Sequence, residues 1–419
     1  MSAIQVQGLR PLSGKIEIQG SKNAVLPMMA AALLAKSTTV LHRVPAIADV
    51  DSMTGILESL GCVCSFSDGS MTIDATAVSG TRIPECYVGK MRSSVMVLGP
   101  LLARLGEAAT SFPGGCVLGK RPIDLHLYAL QELGASIQEA GGMILAEAKK
   151  LSGANLVLRF ASVGATENAV LAAVTAEGIT VLEHAAREPE IVELCAFLSA
   201  MGAKISGAGT ETIRIEGVQR LHACEWTLGA DRICAGTYLA ATLAAGGDIA
   251  VCGADPRSLK APLLLMEAMG ARIRADERER EIRLTMRGRP KGFSAATGPY
   301  PAFPTDLQSV FLAAACTADG ESRITETVFE ARFAAARILR DFGAQIWLSG
   351  QTAVIRGSYP LKPAIVRAPD LRGGAALLAA ALAADGVSMI DGAGHIERGY
   401  EDICRDLRTL GAEVFTIHS

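Results

Sequence analysis

The chain has 419 residues, half of them hydrophobic and a fifth charged, which is too long for one simple core and too apolar for a disordered chain. A formal net charge of -3 leaves no electrostatic footprint for nucleic acid or an anionic membrane, and aromatics at 5% supply no stacking platform for bases. No basic-then-apolar leader opens the N-terminus, and one of the longest apolar runs, Gly373 to Ala384, is 12 residues where a membrane span needs about 20.

Ten cysteines are scattered without a Cys-x-x-Cys pair, and the nearest two, Cys62 and Cys64, flank Val63 on one face of an expected strand, beyond disulfide geometry. That usage predicts a reduced, cytoplasmic protein, and neither the cysteines nor the six histidines stand at metal-ligand spacing.

The first element to expect is an Ala/Leu-rich helix, Val25-Leu-Pro-Met-Met-Ala-Ala-Ala-Leu-Leu-Ala35. A β-branched strand follows at Thr38-Thr-Val-Leu, then an amphipathic segment closed by Leu60-Gly61-Cys62-Val63. Residues 94–106 begin the same order again, closed by Leu133-Gly134-Ala135-Ser136-Ile137. It returns with a helix from Asn168 to Gly178, the strand Ile179-Thr-Val-Leu and the closure Met201-Gly202-Ala203-Lys204-Ile205. Helices at 240–246, 311–320 and 375–386 precede the last closures, at Met269-Gly270-Ala271, Phe342-Gly343-Ala344 and Leu410-Gly411-Ala412. Glycine to glycine, the intervals are 73, 68, 68, 73 and 68 residues, so one supersecondary unit is used six times.

An apolar run ending in glycine is a helix C-cap signal, because glycine takes the left-handed conformation at little cost. The Ala-rich helices are apolar on nearly every face and must be buried on all sides, with the amphipathic ones and the strands outside. Six units of ~70 residues exceed one core. Three per domain gives an α/β protein of two domains with a cleft between them, where ligand chemistry is expected.

Several segments carry candidate chemistry. Gln19-Gly-Ser-Lys-Asn-Ala24, before the first buried helix, suits either an anion at a helix N-terminus or an ordinary Ser/Asn cap with a solvated Lys22. Phe112-Pro-Gly-Gly-Cys-Val-Leu-Gly-Lys-Arg-Pro-Ile-Asp124 sets Cys116 on a flexible turn, and the nearby Lys120 and Arg121 favour the thiolate. The other nine cysteines read as small buried hydrophobes. In Tyr300-Pro-Ala-Phe-Pro-Thr-Asp306 the prolines stiffen the approach to a helix, where Asp306 is open to two roles, cap or general base. Arg92, Arg332, Arg372 and Arg398 stand at element boundaries, fit either to snorkel or to converge on a multiply anionic ligand. His126 and His395 read as structural or supporting groups. No Gly-x-Gly-x-x-Gly or P-loop pattern appears, so dinucleotide and P-loop functions gain no support.

Over essentially its whole length the chain resembles the UDP-N-acetylglucosamine 1-carboxyvinyltransferase family of enolpyruvyl transferases. The resemblance rests on Ser21-Lys-Asn-Ala, Pro113-Gly-Gly-Cys, Arg121-Pro-Ile-Asp-Leu125, Ser162-Val-Gly-Ala-Thr166 and Ala186-Arg-Glu-Pro-Glu190. It continues through Phe303-Pro-Thr-Asp306, Ile324-Thr-Glu-Thr-Val-Phe-Glu330, Asp370-Leu-Arg372 and Arg398-Gly-Tyr-Glu401. It implies two inside-out α/β barrel (prism) domains of three repeats each, residues 22–229 carrying the cysteine loop and residues 1–21 with 230–419 forming the second. The active site is then expected in the interdomain cleft.

The implied reaction moves the enolpyruvyl group of phosphoenolpyruvate to the 3′-hydroxyl of UDP-N-acetylglucosamine, with no metal or organic cofactor. Cys116 matches the family's acid at the vinyl carbon, which also forms a covalent adduct with phosphoenolpyruvate and is alkylated by fosfomycin. Asp306 matches the carboxylate at the 3′-hydroxyl. Lys22, Arg121 and Arg398 match phosphate or charge-stabilising groups, and Arg332 and Arg372 match binders of the enolpyruvyl carboxylate. Asn23, Arg92, Arg121, Pro122, Ile123, Asp124, Leu125, Ser162, Val163, Gly164, Asp306 and Val328 complete the implied substrate side.

Lys120, Ala331 and Glu397 depart from the family's usual small residue, Asn and Asp, which bears on rate and inhibitor sensitivity. Two readings compete. 5-Enolpyruvylshikimate-3-phosphate synthase shares fold and donor but lacks the Pro-Gly-Gly-Cys loop and the Arg-Pro-Ile-Asp-Leu segment. A catalytically silent UDP-sugar sensor predicts loss of a charged site group, and none is lost.

Overall fold

A computed structural model describes residues 2–112 and 123–418. They divide into two compact units, one of residues 2–19 and 230–418, the other of residues 20–112 and 123–229.

The first unit holds three four-stranded sheets with one plan. In one of them, the short strand Ser294–Ala296 runs parallel to Glu321–Thr325, which pairs antiparallel with Thr352–Arg356, whose hairpin partner is Gln345–Ser349. In the next, Leu12–Glu17 is the parallel neighbour of Gly247–Cys252, followed by Glu281–Met286 and Arg272–Asp276. The third has Ile365–Arg367 beside Val387–Asp391, and here the N-terminal strand Ser2–Gln7 lies between Val387–Asp391 and Glu413–His418, antiparallel to both.

The second unit repeats the plan with Glu225–Thr227, Thr38–His42, Ser70–Asp74 and Val63–Ser67, and with Asn155–Val157, Ile179–Glu183, Thr212–Glu216 and Lys204–Ser206. Its remaining sheet, Glu107–Ser111, Met143–Glu147 and Ser136–Ala140, has a single parallel bridge from Arg82 to Ala109 where the others have an edge strand. Alternation sets which side faces in: Ile213 and Ile215 are buried while Thr212 and Arg214 are exposed.

Inside each wall lie helices without a solvent face. Every residue of Arg232–Ala245 and of Leu371–Leu382 is buried, as are Leu307 to Thr317 of the helix Thr305–Thr317. The amphipathic helices lie outside, as in Ala48–Ser59, where Met53, Ile56 and Leu57 are buried and Asp51 and Glu58 exposed. All six signal glycines, Gly61, Gly134, Gly202, Gly270, Gly343 and Gly411, take positive φ between 83° and 103°, the region glycine enters cheaply.

The expected inner helices have different bounds: four are Val163–Ala173, Arg232–Ala245, Thr305–Thr317 and Leu371–Leu382, each beginning and ending earlier than its apolar run. The helix expected from Val25 starts at Lys22 and gives way after Ala31 to a 3-10 turn, Ala32–Leu34. Residues 94–106 are not one helix: a 3-10 segment, Arg92–Val97, leads into the helix Leu98–Leu105. Pro100 explains the break, because it lacks an N–H and is best placed in the first turn, where that group has no intrahelical partner.

The second unit's inner segments touch closely at Gly99, whose N–H donates to Asn168 Oδ1 at 2.9 Å. A Cβ there would stand 2.5 Å from that oxygen and 2.8 Å from the Asn168 carbonyl oxygen. Gly99→Ala is therefore expected to destabilise the protein by about 2–3 kcal/mol through overpacking. A urea midpoint equal to wild type would refute this.

Candidate active site

The C-terminal ends of the second unit's inner segments share a cavity of about 1410 Å³ lined by Leu34, Leu105 and Thr175. Arg104 serves that end, donating to the carbonyl oxygens of Leu33 at 2.7 Å and Ala75 at 2.6 Å. The N-terminal starts, Lys22, Arg92 and Val163, therefore share the opposite end, where the partial positive charge of helix starts favours anions.

Lys22 is not a solvated lysine beside a cap. Its Nζ lies 2.6 Å from Asp49 Oδ2, with side chains 12% and 5% exposed, so this cation is held in place rather than waving in solvent. Ser21 makes no side-chain cap bond, and Asn23 and Arg92 are half-buried. Ser162 caps the helix Val163–Ala173, accepting from Ala165 N at 3.4 Å. Val163 and Gly164 are half-buried, and a Cβ on Gly164 would meet the His126 ring at 3.0 Å, so glycine admits that ring. His126 Nδ1 lies 3.2 Å from Asn168 Nδ2, which also donates to Val95 O at 3.0 Å. Ile123 and Leu125 are buried, and Asp124 pairs with Arg159.

Thr166 accepts from Ala186 N at 3.0 Å and so joins two of the segments noted in the sequence. Between them lies Glu167, whose carboxyl is pushed well above its ordinary 4.5 by burial first, then by Glu190 and Glu188. A raised carboxyl keeps its proton to higher pH in the folded than in the unfolded chain. Its stabilisation is complete below about pH 4.5 and is lost as pH rises towards the folded value. Glu167→Gln should therefore match wild type near about pH 5 and exceed it in denaturant midpoint near about pH 8. An unchanged difference between the two pH values would refute the buried acid.

In the first unit the geometry is more decided. Asp306 lies in the first turn of Thr305–Thr317. Its Oδ1 accepts from Arg332 Nη2 at 2.6 Å and its Oδ2 from Arg372 Nη2 at 3.1 Å. Arg332 and Arg372 are 4% and 7% exposed. Burial pulls the Arg372 pKa down, but Asp306 and then Tyr400 and Asp231 more than offset it, so the net direction is upward. Arg332 Nε is buried and has no hydrogen-bond partner among the described residues, and the guanidinium stands 5.5 Å from the Phe329 ring. A desolvated fork with a spare donor suits a carboxylate or phosphate.

Val328 is exposed, on a loop held by the buried Glu326. Glu326 Oε1 accepts from Val328 N at 2.8 Å, Phe329 N at 3.1 Å and Thr297 Oγ1 at 2.9 Å, while Oε2 accepts from Thr305 Oγ1 at 2.9 Å. Arg398 is half-buried, next to a backbone clasped by Gln19, which donates to Gly399 O at 3.1 Å and accepts from Glu401 N at 2.8 Å. Ala331 and Glu397 are exposed.

Cys116, Lys120, Arg121 and Pro122 lie outside the described residues. Among the described cysteines the expected burial fails at three: Cys64 and Cys224 are half-buried, and Cys86 is exposed, because the one-turn helix Glu85–Val88 buries Val88 instead. Cys62, Cys195, Cys234, Cys252, Cys316 and Cys404 are buried, and burial raises the Cys62 thiol to about 11 and the Cys195 and Cys316 thiols to about 12.

Sequence reasoning missed Asp49, Glu326 and Arg232. Arg232, 8% exposed, opens the fourth repeat's inner helix as Lys22 opens the first, with its guanidinium 5.6 Å from the Tyr300 ring. That positional match was a signal available in the repeat. Among the described residues no group of His, Cys, Asp and Glu is arranged to hold a metal ion, and no helix is long and apolar enough to cross a membrane.

Residues 6–407 match the family described as EPSP synthase (3-phosphoshikimate 1-carboxyvinyltransferase). A curated relative from Caldanaerobacter subterraneus subsp. tengcongensis, named UDP-N-acetylglucosamine 1-carboxyvinyltransferase 2, is 44% identical over 418 residues and all of both chains. Among solved structures, the enolpyruvyl transferase NikO from Streptomyces tendae superposes with a TM-score of 0.89 at 25% identity, covering 100% of this chain and 99% of that one. An EPSP synthase from Acinetobacter baumannii gives 0.76 at 18% over both full chains, a likeness of fold.

Proposed function

The chain belongs to the EPSP synthase family, and from that premise we propose that it transfers the enolpyruvyl group of phosphoenolpyruvate to the 3′-hydroxyl of UDP-N-acetylglucosamine, releasing phosphate. The observation that carries this reading is the 44% identity, end to end, to a relative bearing that enzyme's name. The reaction opens peptidoglycan synthesis and belongs in the cytoplasm. The shikimate reading is weaker, because the EPSP synthase compared is only 18% identical.

The residues supply the chemistry in this reading. Protonation of C3 of phosphoenolpyruvate by the Cys116 thiol makes C2 electrophilic, and the 3′-oxygen adds to C2 while Asp306 takes its proton. The adduct then loses a proton from C3 as the C2–O bond to phosphate breaks. Arg332 and Arg372 hold the carboxylate, and Lys22, Arg121 and Arg398 neutralise the phosphate. Asn23, Arg92, Pro122, Ile123, Asp124, Leu125, Ser162, Val163, Gly164 and Val328 are assigned to the nucleotide-sugar side.

Purified protein given both substrates should release phosphate, and turnover with shikimate 3-phosphate in place of the UDP-sugar would sink the assignment. Fosfomycin should add its mass to the wild-type protein and not to Cys116→Ser. Persistent labelling of that variant would show that another thiol reacts, with the exposed Cys86 the first to examine.

A further inference from the structure

The six repeats provide an internal comparison for the outer face of each sheet. Two and four residues beyond the signal glycine, five repeats carry Val63 and Ser65, Ser136 and Gln138, Lys204 and Ser206, Gln345 and Trp347, or Glu413 and Phe415. The fourth repeat alone carries two cations there, Arg272 and Arg274.

Cross-strand partners sharpen the contrast. Lys204 faces Glu216 and pairs with it at 2.5 Å. Arg272 instead faces Thr285, and Arg274 faces another cation, Arg283. Like charges directly opposite destabilise a sheet, so an exposed face shaped only for solubility would alternate signs. Arg283 is fixed by Asp248, donating through Nε to Oδ1 at 2.7 Å, and Thr285 donates to Oδ2 at 3.2 Å. That carboxyl is held below its ordinary range, chiefly by the Arg283 bond. Arg272, Arg274 and Arg287 form no hydrogen bond or ion pair among the described residues.

These side chains line a hollow of about 460 Å³ together with Gly270. Four arginines against the single Asp248 leave an excess of three positive charges, on a chain whose net charge is -3. The Lys291 stem passes beside Gly270, its Cγ and Cε 4.0 Å from where a Cβ on that glycine would stand. Planar guanidinium forks grouped around a hollow of small-molecule size match the oxygens of phosphate groups.

We propose that this arginine-lined hollow binds a small, multiply charged anion of the phosphate class, pyrophosphate or the diphosphate of a nucleotide, separately from the reaction site. The proposal does not depend on the enzymatic reading. Its removable elements are Arg272 and Arg274, which are exposed and hold nothing else in place.

The test is calorimetric titration of inorganic pyrophosphate into the full-length protein at low salt. Arg272→Ala/Arg274→Ala should bind about 100-fold more weakly, from the loss of two charge-assisted contacts. Its phosphate-release rate with the proposed substrates should equal wild type. Arg372→Leu, altered at the proposed reaction site, should retain the binding. Equal affinity in the double variant, or no binding to wild type, overturns the proposal. Without the anion, Arg274→Gln should raise the melting temperature by relieving Arg283, and pyrophosphate should reverse that order. A variant never more stable than wild type in anion-free buffer overturns the argument from opposed charges. Vesicles of phosphatidylglycerol form a second arm, and binding to them without binding to pyrophosphate would replace the free anion by a lipid headgroup.

Discussion

Asp306→Asn is expected to lower phosphate release by about 10³-fold and stability by about 3 kcal/mol. Both losses come from one carboxylate with two tasks. Its oxygens accept from Arg332 at 2.6 Å and Arg372 at 3.1 Å, two cations almost wholly removed from water. Breaking a buried pair by removing one partner strands a charge, which costs more than the pair itself contributes. Asparagine keeps the shape and one acceptor, but its amide N–H groups face a guanidinium that can only donate. The turnover loss follows because an amide does not accept a proton from the acceptor hydroxyl. Denaturant midpoint and phosphate release on one preparation separate the two effects. Lower stability with full turnover would leave Asp306 structural and remove it as the base.

Arg332→Leu is expected to lower kcat/KM for phosphoenolpyruvate by about 10³-fold, with a smaller loss of stability, since Arg372 still pairs with Asp306. Arg332 holds Asp306 through one nitrogen and has a second, Nε, buried without a partner among the described residues. A buried donor left unmade is expensive, so the position gains most when an anion arrives to accept from it. Arg332→Lys distinguishes charge from fork geometry. It restores a cation for Asp306 and so most of the stability, but not the planar second donor, and catalytic efficiency should stay about 10²-fold down. Full recovery by lysine would show that charge alone matters there.

The repeat made the architecture legible, because a C-cap glycine is a local requirement written at one position. Burial of the Ala-rich helices was legible for the same reason: a segment with no polar face has only one place to go. Partners were not. Whether Asp306 caps a helix or meets cations is decided by Arg332 and Arg372, 26 and 66 residues away. Glu326 looked like one more letter in a family segment, yet it ties Thr297, Thr305 and the Val328 loop together across separations of 29 and 21 residues. Lys22 stayed open between an anion site and a solvated lysine because nothing near it in sequence announces Asp49. Cys86 read as buried because a one-turn helix leaves little periodicity to say which side faces out.

The strand Ser2–Gln7 pairs on one side with Val387–Asp391 and on the other with Glu413–His418. Among the described residues, the named strands within residues 20–229 form sheets only with one another. During synthesis on the ribosome, that middle stretch can fold as soon as it emerges, since domains form as units while the chain lengthens. The strand Ser2–Gln7 must wait for Val387–Asp391 to cover one edge and for Glu413–His418 to cover the other. Its unit is begun before the middle stretch and closed after it, and a chain cut short before Glu413 bares an edge of Ser2–Gln7 as well.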